Sequence, residues 1–308
     1  MDLVRRFLAT ALVALALAGC GTPPFATARP EVQQPRIAVI SAFEPELVLL
    51  RQRLQGAQSQ RINGVEFITG TLEGRPVLLF LSGISMTNAT MNTQLALDRF
   101  KVSHIVFSGI AGGVNPQLHI GDVTVPAQWG QYLEVLMARE TAPGRYAVPP
   151  FIDDAKLPNF GMMFPRPVEF RSAAQPGMAK KFWFEADPAM LAAARDLPVE
   201  LAACSGTTCL SHKPKLVVGG NGVSGQAFMD NAAFREYTFR TFQANVLDME
   251  TAAVGMVAHS NGVPFIAFRS LSDLAGGGEG ANEMGTFMRL AADNSAKVLL
   301  AFLARWKP

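Results

Sequence analysis

Residues 245–273 read NVLDMETAAVGMVAHSNGVPFIAFRSLSD, and few folds accommodate them. NVLDM is a short apolar run of strand composition. From Glu250 to Ser260 the spacing turns helical, with Ala252, Ala253, Met256 and Val257 on one face. Asn261 and Gly262 end that helix, since glycine takes the left-handed cap conformation without a Cβ penalty. Pro264 restarts the chain, and PFIAF has the length and composition of a buried parallel strand. Glu250 falls at the carboxyl end of the first strand, and Asp273 falls just past the carboxyl end of the second. Ligands of open α/β sheets bind outside those ends. Two carboxylates placed there suggest a site that handles hydroxyls and protons.

The rest of the chain keeps the alternation. Residues 36–42 read as a strand, and Glu44-Pro45-Glu46 opens a helix to about Gln55. Acidic residues in a first turn also suit the helix dipole, which is the plainer account of Glu44 and Glu46. Residues 65–71 and 77–81 read as strands joined at Glu73-Gly74, and Ser82-Gly83-Ile84-Ser85 leads into a helix through Phe100. Small residues such as Ser82 let a ligand reach backbone N–H groups at a helix start, or simply make a tight turn. Residues 104–108 form a strand, and the glycines of the following Gly109-Ile110-Ala111-Gly112-Gly113 imply close approach of something to the backbone. Strands at 121–125 and 215–218, a helix capped near Asp230 and a last helix from about Glu283 to Trp306 complete the series. The fold class is α/β, with a mixed, mostly parallel central sheet flanked by helices. Residues 141–213, rich in proline, break the rhythm and read as an insertion over one end of the sheet, serving as a lid or an interface.

Nearly half the residues are hydrophobic (49%) and only 17% are charged, so a large core is expected and disorder is not. A net charge of +2, with no basic cluster, gives no reason to expect a nucleic-acid partner. Residues 1–20 have the form of a leader. A basic start precedes an apolar run shorter than the ~20 residues a spanning helix needs, and it ends in Leu17-Ala18-Gly19-Cys20. That ending resembles the lipobox of bacterial lipoproteins. The resemblance implies lipidation at Cys20, a membrane anchor, and a location facing the periplasm or cell exterior; an ordinary signal peptide or signal anchor is the alternative. Residues 21–34 read as a tether. Export leaves Cys204 and Cys209 as an even pair in an oxidising compartment, where a local disulfide is expected, the alternative being two free buried thiols.

Gly220-x-Gly222-x-x-Gly225, with Asp248 downstream, matches the dinucleotide fingerprint in spacing alone. QAFMDN separates it from the next helix, so no helix N-terminus meets a pyrophosphate there. Val223-Ser224-Gly225 lacks the second glycine of a nucleophile elbow. The histidines show no metal-ligand spacing. No metal or other cofactor is expected.

Seven stretches, in order, resemble the nucleoside phosphorylase superfamily on its methylthioadenosine/S-adenosylhomocysteine nucleosidase branch: IAVISAFEPEL, LSGISMTNAT, FSGIAGG, GDVTVP, VSGQAFMDN, LDMETAAVG and PFIAFRSLSDLAGG. The likeness covers nearly all of residues 35–308 and implies that superfamily's three-layer sandwich. FMDNAAFRE and RSLSDLAGGGEGANEMGTF are most similar to the plant bark and vegetative storage proteins. The resemblance implies that Asp273 protonates the purine's five-membered ring, oriented by Ser272. It implies that Glu250 accepts the two ribose hydroxyls, Met249 packs on the sugar, and Glu46 activates water. The resemblance further implies that Phe228 stacks on the base with Met229 beside it, and that Ser82 and Gly112 are further substrate contacts. Each has a plainer reading: Asp273 as a cap, Glu250 as the ion-pair partner of Arg269, Phe228 as a core aromatic. A homodimer is also implied.

Phosphorylases of this superfamily carry an arginine where Phe107 stands, and their phosphate element near the first strand is absent. Arg51 lies too far along its helix to replace it. A site without those cations binds a phosphate dianion poorly. Hydrolysis of a purine nucleoside is therefore expected. A phosphorylase, a nucleoside-binding lipoprotein and a storage-like protein are the alternatives. Gln226 departs from the family beside the purine pocket.

Overall fold

A computed structural model describes residues 34–307. The leader, Cys20 and all but the last residue of the tether lie outside the described residues. The chain opens with β1 (Arg36–Ser41), α1 (Glu44–Arg53), β2 (Gln55–Ile62), β3 (Val65–Leu72), β4 (Arg75–Leu81), α2 (Met86–Arg99) and β5 (Val102–Gly113). Then come β6 (Val123–Val125), β7 (Gln128–Gln131), β8 (Val135–Met137), β9 (Arg139–Ala142), β10 (Arg145–Ala147), β11 (Met163–Pro165), β12 (Val168–Ser172), β13 (Gln175–Lys181), β14 (Trp183–Glu185), α3 (Pro188–Ala193), β15 (Cys204–Ser205) and β16 (Thr208–Cys209). The chain closes with β17 (Leu216–Val218), β18 (Asn221–Ser224), α4 (Ala232–Phe242), β19 (Ala244–Asp248), α5 (Thr251–Asn261), β20 (Phe265–Asp273) and α6 (Met284–Arg305).

Twelve strands form one mixed sheet in the order β14-β7-β18-β19-β5-β1-β4-β3-β2, with β20, β6 and β17 branching from β5. β4, β1, β5 and β20 run parallel in sequence, while β19 meets the end of β5 antiparallel. Strand periodicity explains the three layers. Ile37 and Val39 of β1, with Ile266 and Phe268 of β20, face a core closed by α1, α3 and α6. Ala38 and Ile40, with Phe265 and Ala267, face the opposite core closed by α2 and α5.

Several elements differ from the sequence reading. β2 was not anticipated, because QGAQSQRI is polar on both faces and carries no alternation; it is an exposed edge strand antiparallel to β3. β5 runs on through the glycines instead of ending at Ser108. The cap of α4 is Asn231, not Asp230: its Oδ1 accepts from Phe234 N at 2.9 Å. Within 141–213, β14 returns to the main sheet beside β7, and Cys204 and Cys209 are disulfide-bonded across the β15–β16 turn.

The register of β5 brings the ends of its neighbours together. Gly112 lies opposite Asp273 of β20 on one side and Leu247 of β19 on the other, and β20 bulges between Leu271 and Asp273. Ile40 of β1 pairs Phe107, which sets the start of α1 beside the same point. Phe302, fully buried on α6, meets Phe268 of β20 at a ring separation of 5.3 Å. Phe302→Ala is expected to cost about 3–5 kcal/mol in chemical denaturation. A loss below about 1 kcal/mol would show that α6 is not part of the cooperative core.

Candidate active site

A cavity of about 350 Å³ opens where these strand ends meet. Glu46, Gly112, Phe228, Met229, Met249, Glu250, Ser272 and Asp273 all line it. Ser82 does not. It is fully buried, its hydroxyl donates to the Gly83 carbonyl, and its own carbonyl takes the Asn92 amide. From that turn Ile84 lines the cavity, and Ser85 serves it through Glu250, whose Oε1 accepts from the Ser85 N–H at 2.8 Å.

The floor of the cavity is acidic. Glu46 hangs from the first turn of α1, and its carboxylate accepts from Ala42 N and Ile110 N, both at 2.7 Å. Glu44, two residues earlier, is on the surface with Arg51, so neither of those residues enters the site. Arg51 also pairs Glu66. Asp273 ends β20. Ser272 Oγ donates to its Oδ2 at 2.9 Å and Ala275 N to its Oδ1 at 2.8 Å. It therefore caps a turn and lines the cavity as well.

One cation serves this floor from below. Arg269, fully buried in β20, holds Asp248 at 2.8 Å and lies 3.6 Å from both Glu46 and Glu250. Its guanidinium lies 4.1 Å from the centroid of the Phe107 ring. Sequence reasoning met Arg269 only as a partner for Glu250; the pair exists, and Glu250 faces the cavity too. The available signal was a lone arginine inside an apolar strand, which requires buried acids around it. Asp248 was missed as a structural acid. It accepts from the N–H groups of Glu250 and Thr251 and so fixes the start of α5. The glycine fingerprint has its own explanation: a Cβ at Gly222 would meet the Trp129 ring at 2.7 Å. At Gly109 the close approach is by the protein itself, since a Cβ there would collide with the Arg269 guanidinium and the Glu46 carboxylate.

Burial raises the pKa of Glu46, against the opposing pull of Arg269 and the Ile110 and Ala42 amides. Burial likewise pushes Glu250 up to about 8, with Arg269 opposing and the Asp248 charge assisting. Asp273 is raised by burial too, although the Ala275 amide and Ser272 hydroxyl favour its anion.

The mouth is apolar. Phe228 is 58% exposed and Ile84 49%, so Phe228 is not a core aromatic, and Phe43 and Met284 add to the apolar lining. None of the lining residues is a lysine or arginine, and none comes from 141–213.

The sequence pattern of the Phosphorylase superfamily matches residues 36–304. The chain belongs to that superfamily. The 5'-methylthioadenosine/S-adenosylhomocysteine nucleosidase of Halalkalibacterium halodurans is 30% identical to it over 271 residues, covering 88% of this chain and 98% of that protein. This places the chain on the nucleosidase branch of the Phosphorylase superfamily. The solved nucleosidase of Colwellia psychrerythraea, in complex with adenine, is similar at a TM-score of 0.65 and 26% identity, over 89% of this chain and 96% of that one. The S. pneumoniae nucleosidase, solved with the transition-state inhibitor MT-ImmA, is similar at a TM-score of 0.63 and 25% identity, over 88% and 99%.

Glu250 binds a proton more tightly folded than unfolded, so its contribution to stability falls as pH rises from its ordinary 4.5 through about 8. In Glu250→Gln the melting temperature should drop less between about pH 5 and about pH 8 than in wild type. Equal drops in the two proteins would refute the assignment.

Proposed function

We propose that the protein is a nucleosidase that hydrolyses the N-glycosidic bond of a purine nucleoside without phosphate. The carrying observation is the convergence of Glu46, Glu250 and Asp273 on one cavity whose lining holds no cation. Asp273, whose burial shifts it toward the acid form, gives its proton to the five-membered ring of the base as the C1′–N bond breaks. The base leaves neutral and the ribose becomes an oxocarbenium ion. Glu250 accepts the ribose hydroxyls, since a carboxylate offers two acceptor oxygens to a vicinal diol. Glu46 takes a proton from the water that attacks C1′. Phe228 covers the base, and Met249 packs on the sugar. A phosphate dianion in this cavity would face carboxyl groups and no lysine or arginine of the lining, Arg269 being engaged by Asp248 beneath them. The apolar mouth formed by Phe43, Ile84 and Met284 suits an uncharged, apolar 5′ substituent, as in 5′-methylthioadenosine.

Within the branch we group the chain with the bark and vegetative storage proteins, on FMDNAAFRE and RSLSDLAGGGEGANEMGTF. The intact set of three acids supports turnover over storage or simple binding. We further propose export as a lipoprotein anchored at Cys20, on the strength of Leu17-Ala18-Gly19-Cys20 after a basic and apolar leader. We expect a homodimer on family likeness, to be checked by light scattering.

Release of free base from a panel including 5′-methylthioadenosine and adenosine is the direct test. Release should be independent of phosphate and fall by about a thousandfold or more in Asp273→Asn. On the alkaline side kcat/KM should decline as pH rises through the raised pKa of Asp273, because the acid form is the active one. Release that requires phosphate would identify a phosphorylase instead. Radiolabelled palmitate should enter the wild-type chain and not Cys20→Ser. Labelling of neither would exclude the lipid anchor.

A further inference from the structure

Gln226 is exposed beside the cavity and takes no part in the chemistry above. Its Oε1 accepts two hydrogen bonds, from Ser85 Oγ at 2.9 Å and Thr87 Oγ1 at 2.8 Å. Ser85 ends the turn that enters α2, and Thr87 lies in the first turn of that helix. Ser85 is the cap residue of that helix, yet its hydroxyl caps nothing and is turned to Gln226. Its backbone sits at φ 86° and ψ 149°, a conformation that residues bearing a Cβ rarely adopt unless their surroundings impose it. That conformation aims the Ser85 N–H at Glu250 Oε1. The same link joins the two exposed walls of the mouth, because Ile84 directly precedes Ser85 and Phe228 follows Gln226 by two residues.

We propose that Gln226 is a positioning residue for ribose recognition: it holds Ser85 in its strained conformation and so fixes the amide that orients Glu250 toward the sugar diol. The proposal rests on the reading of Glu250 as the ribose acceptor. Gln226→Glu keeps an oxygen for both hydroxyls, whereas Gln226→Ala leaves neither a partner. The role is therefore separable from simple occupancy of the position.

The test is steady-state kinetics of the full chain on 5′-methylthioadenosine and adenosine, each beside its 3′-deoxy analogue, or calorimetric affinity for the same compounds where turnover is absent. Gln226→Ala should raise KM on the ribonucleosides about five- to tenfold, the scale of one lost hydrogen bond, with kcat within about twofold. The 3′-deoxy analogues should lose markedly less. Gln226→Glu should restore most of the loss, and Ser85→Ala with Gln226→Ala should cost no more than either alone. Equal losses on ribose and 3′-deoxy substrates, no loss at all, or failure of Gln226→Glu to restore KM would overturn the proposal. Glu250→Ala separates the two levels. If it keeps the wild-type preference for the ribonucleoside, the reading of Glu250 itself is wrong. If it loses that preference while Gln226→Ala retains it in full, only the role of Gln226 fails. Neither turnover nor binding of any ribonucleoside by the wild type would remove both.

Discussion

A single fully buried guanidinium, that of Arg269, decides what the surrounding acids can be. An isolated buried charge is too costly to persist, so the arginine requires partners. It has three: Asp248, Glu46 and Glu250. Three carboxylates exceed one cation, and burial moves two of them toward the protonated form. The result is a floor that carries proton-exchanging acids in fixed positions, able to take up negative charge as they ionise. Such a field favours a sugar that becomes cationic and disfavours an incoming dianion. Chemistry and fold depend on the same contact, because Asp248 also anchors the start of α5.

Much of this was legible in the chain. The strand–helix–strand run at 245–273 set Glu250 and Asp273 at strand ends, and the ordered motifs added Glu46. What escaped were features that exist only after the sheet forms. Ser82 and Ser85 are equally small and polar in sequence; only the left-handed turn at Ser85 decides which amide meets Glu250. The glycines after residue 108 signalled close approach, but sequence gave no hint that the approaching groups at Gly109 were the protein's own Arg269 and Glu46. β2 escaped because a polar edge strand has no buried face to impose a period.

The cavity also separates two tasks by depth. Buried carboxylates with several fixed donors form the floor, where small displacements matter most. Exposed Phe228 and Ile84 form the rim, where a flat base or an apolar chain can be covered without any polar group being stranded. The three acids arrive from α1, the start of α5 and the end of β20, so their relative placement is set by the register of β5 and not by any one loop.

The ring of Phe107 against the Arg269 guanidinium carries a consequence for both positions. A phosphate-handling arginine at residue 107 would set a second guanidinium against the first. Like charges confined at that range repel strongly. The aromatic face at 107 and the buried arginine at 269 are therefore a matched pair, and a cation introduced at one position would be felt first at the other.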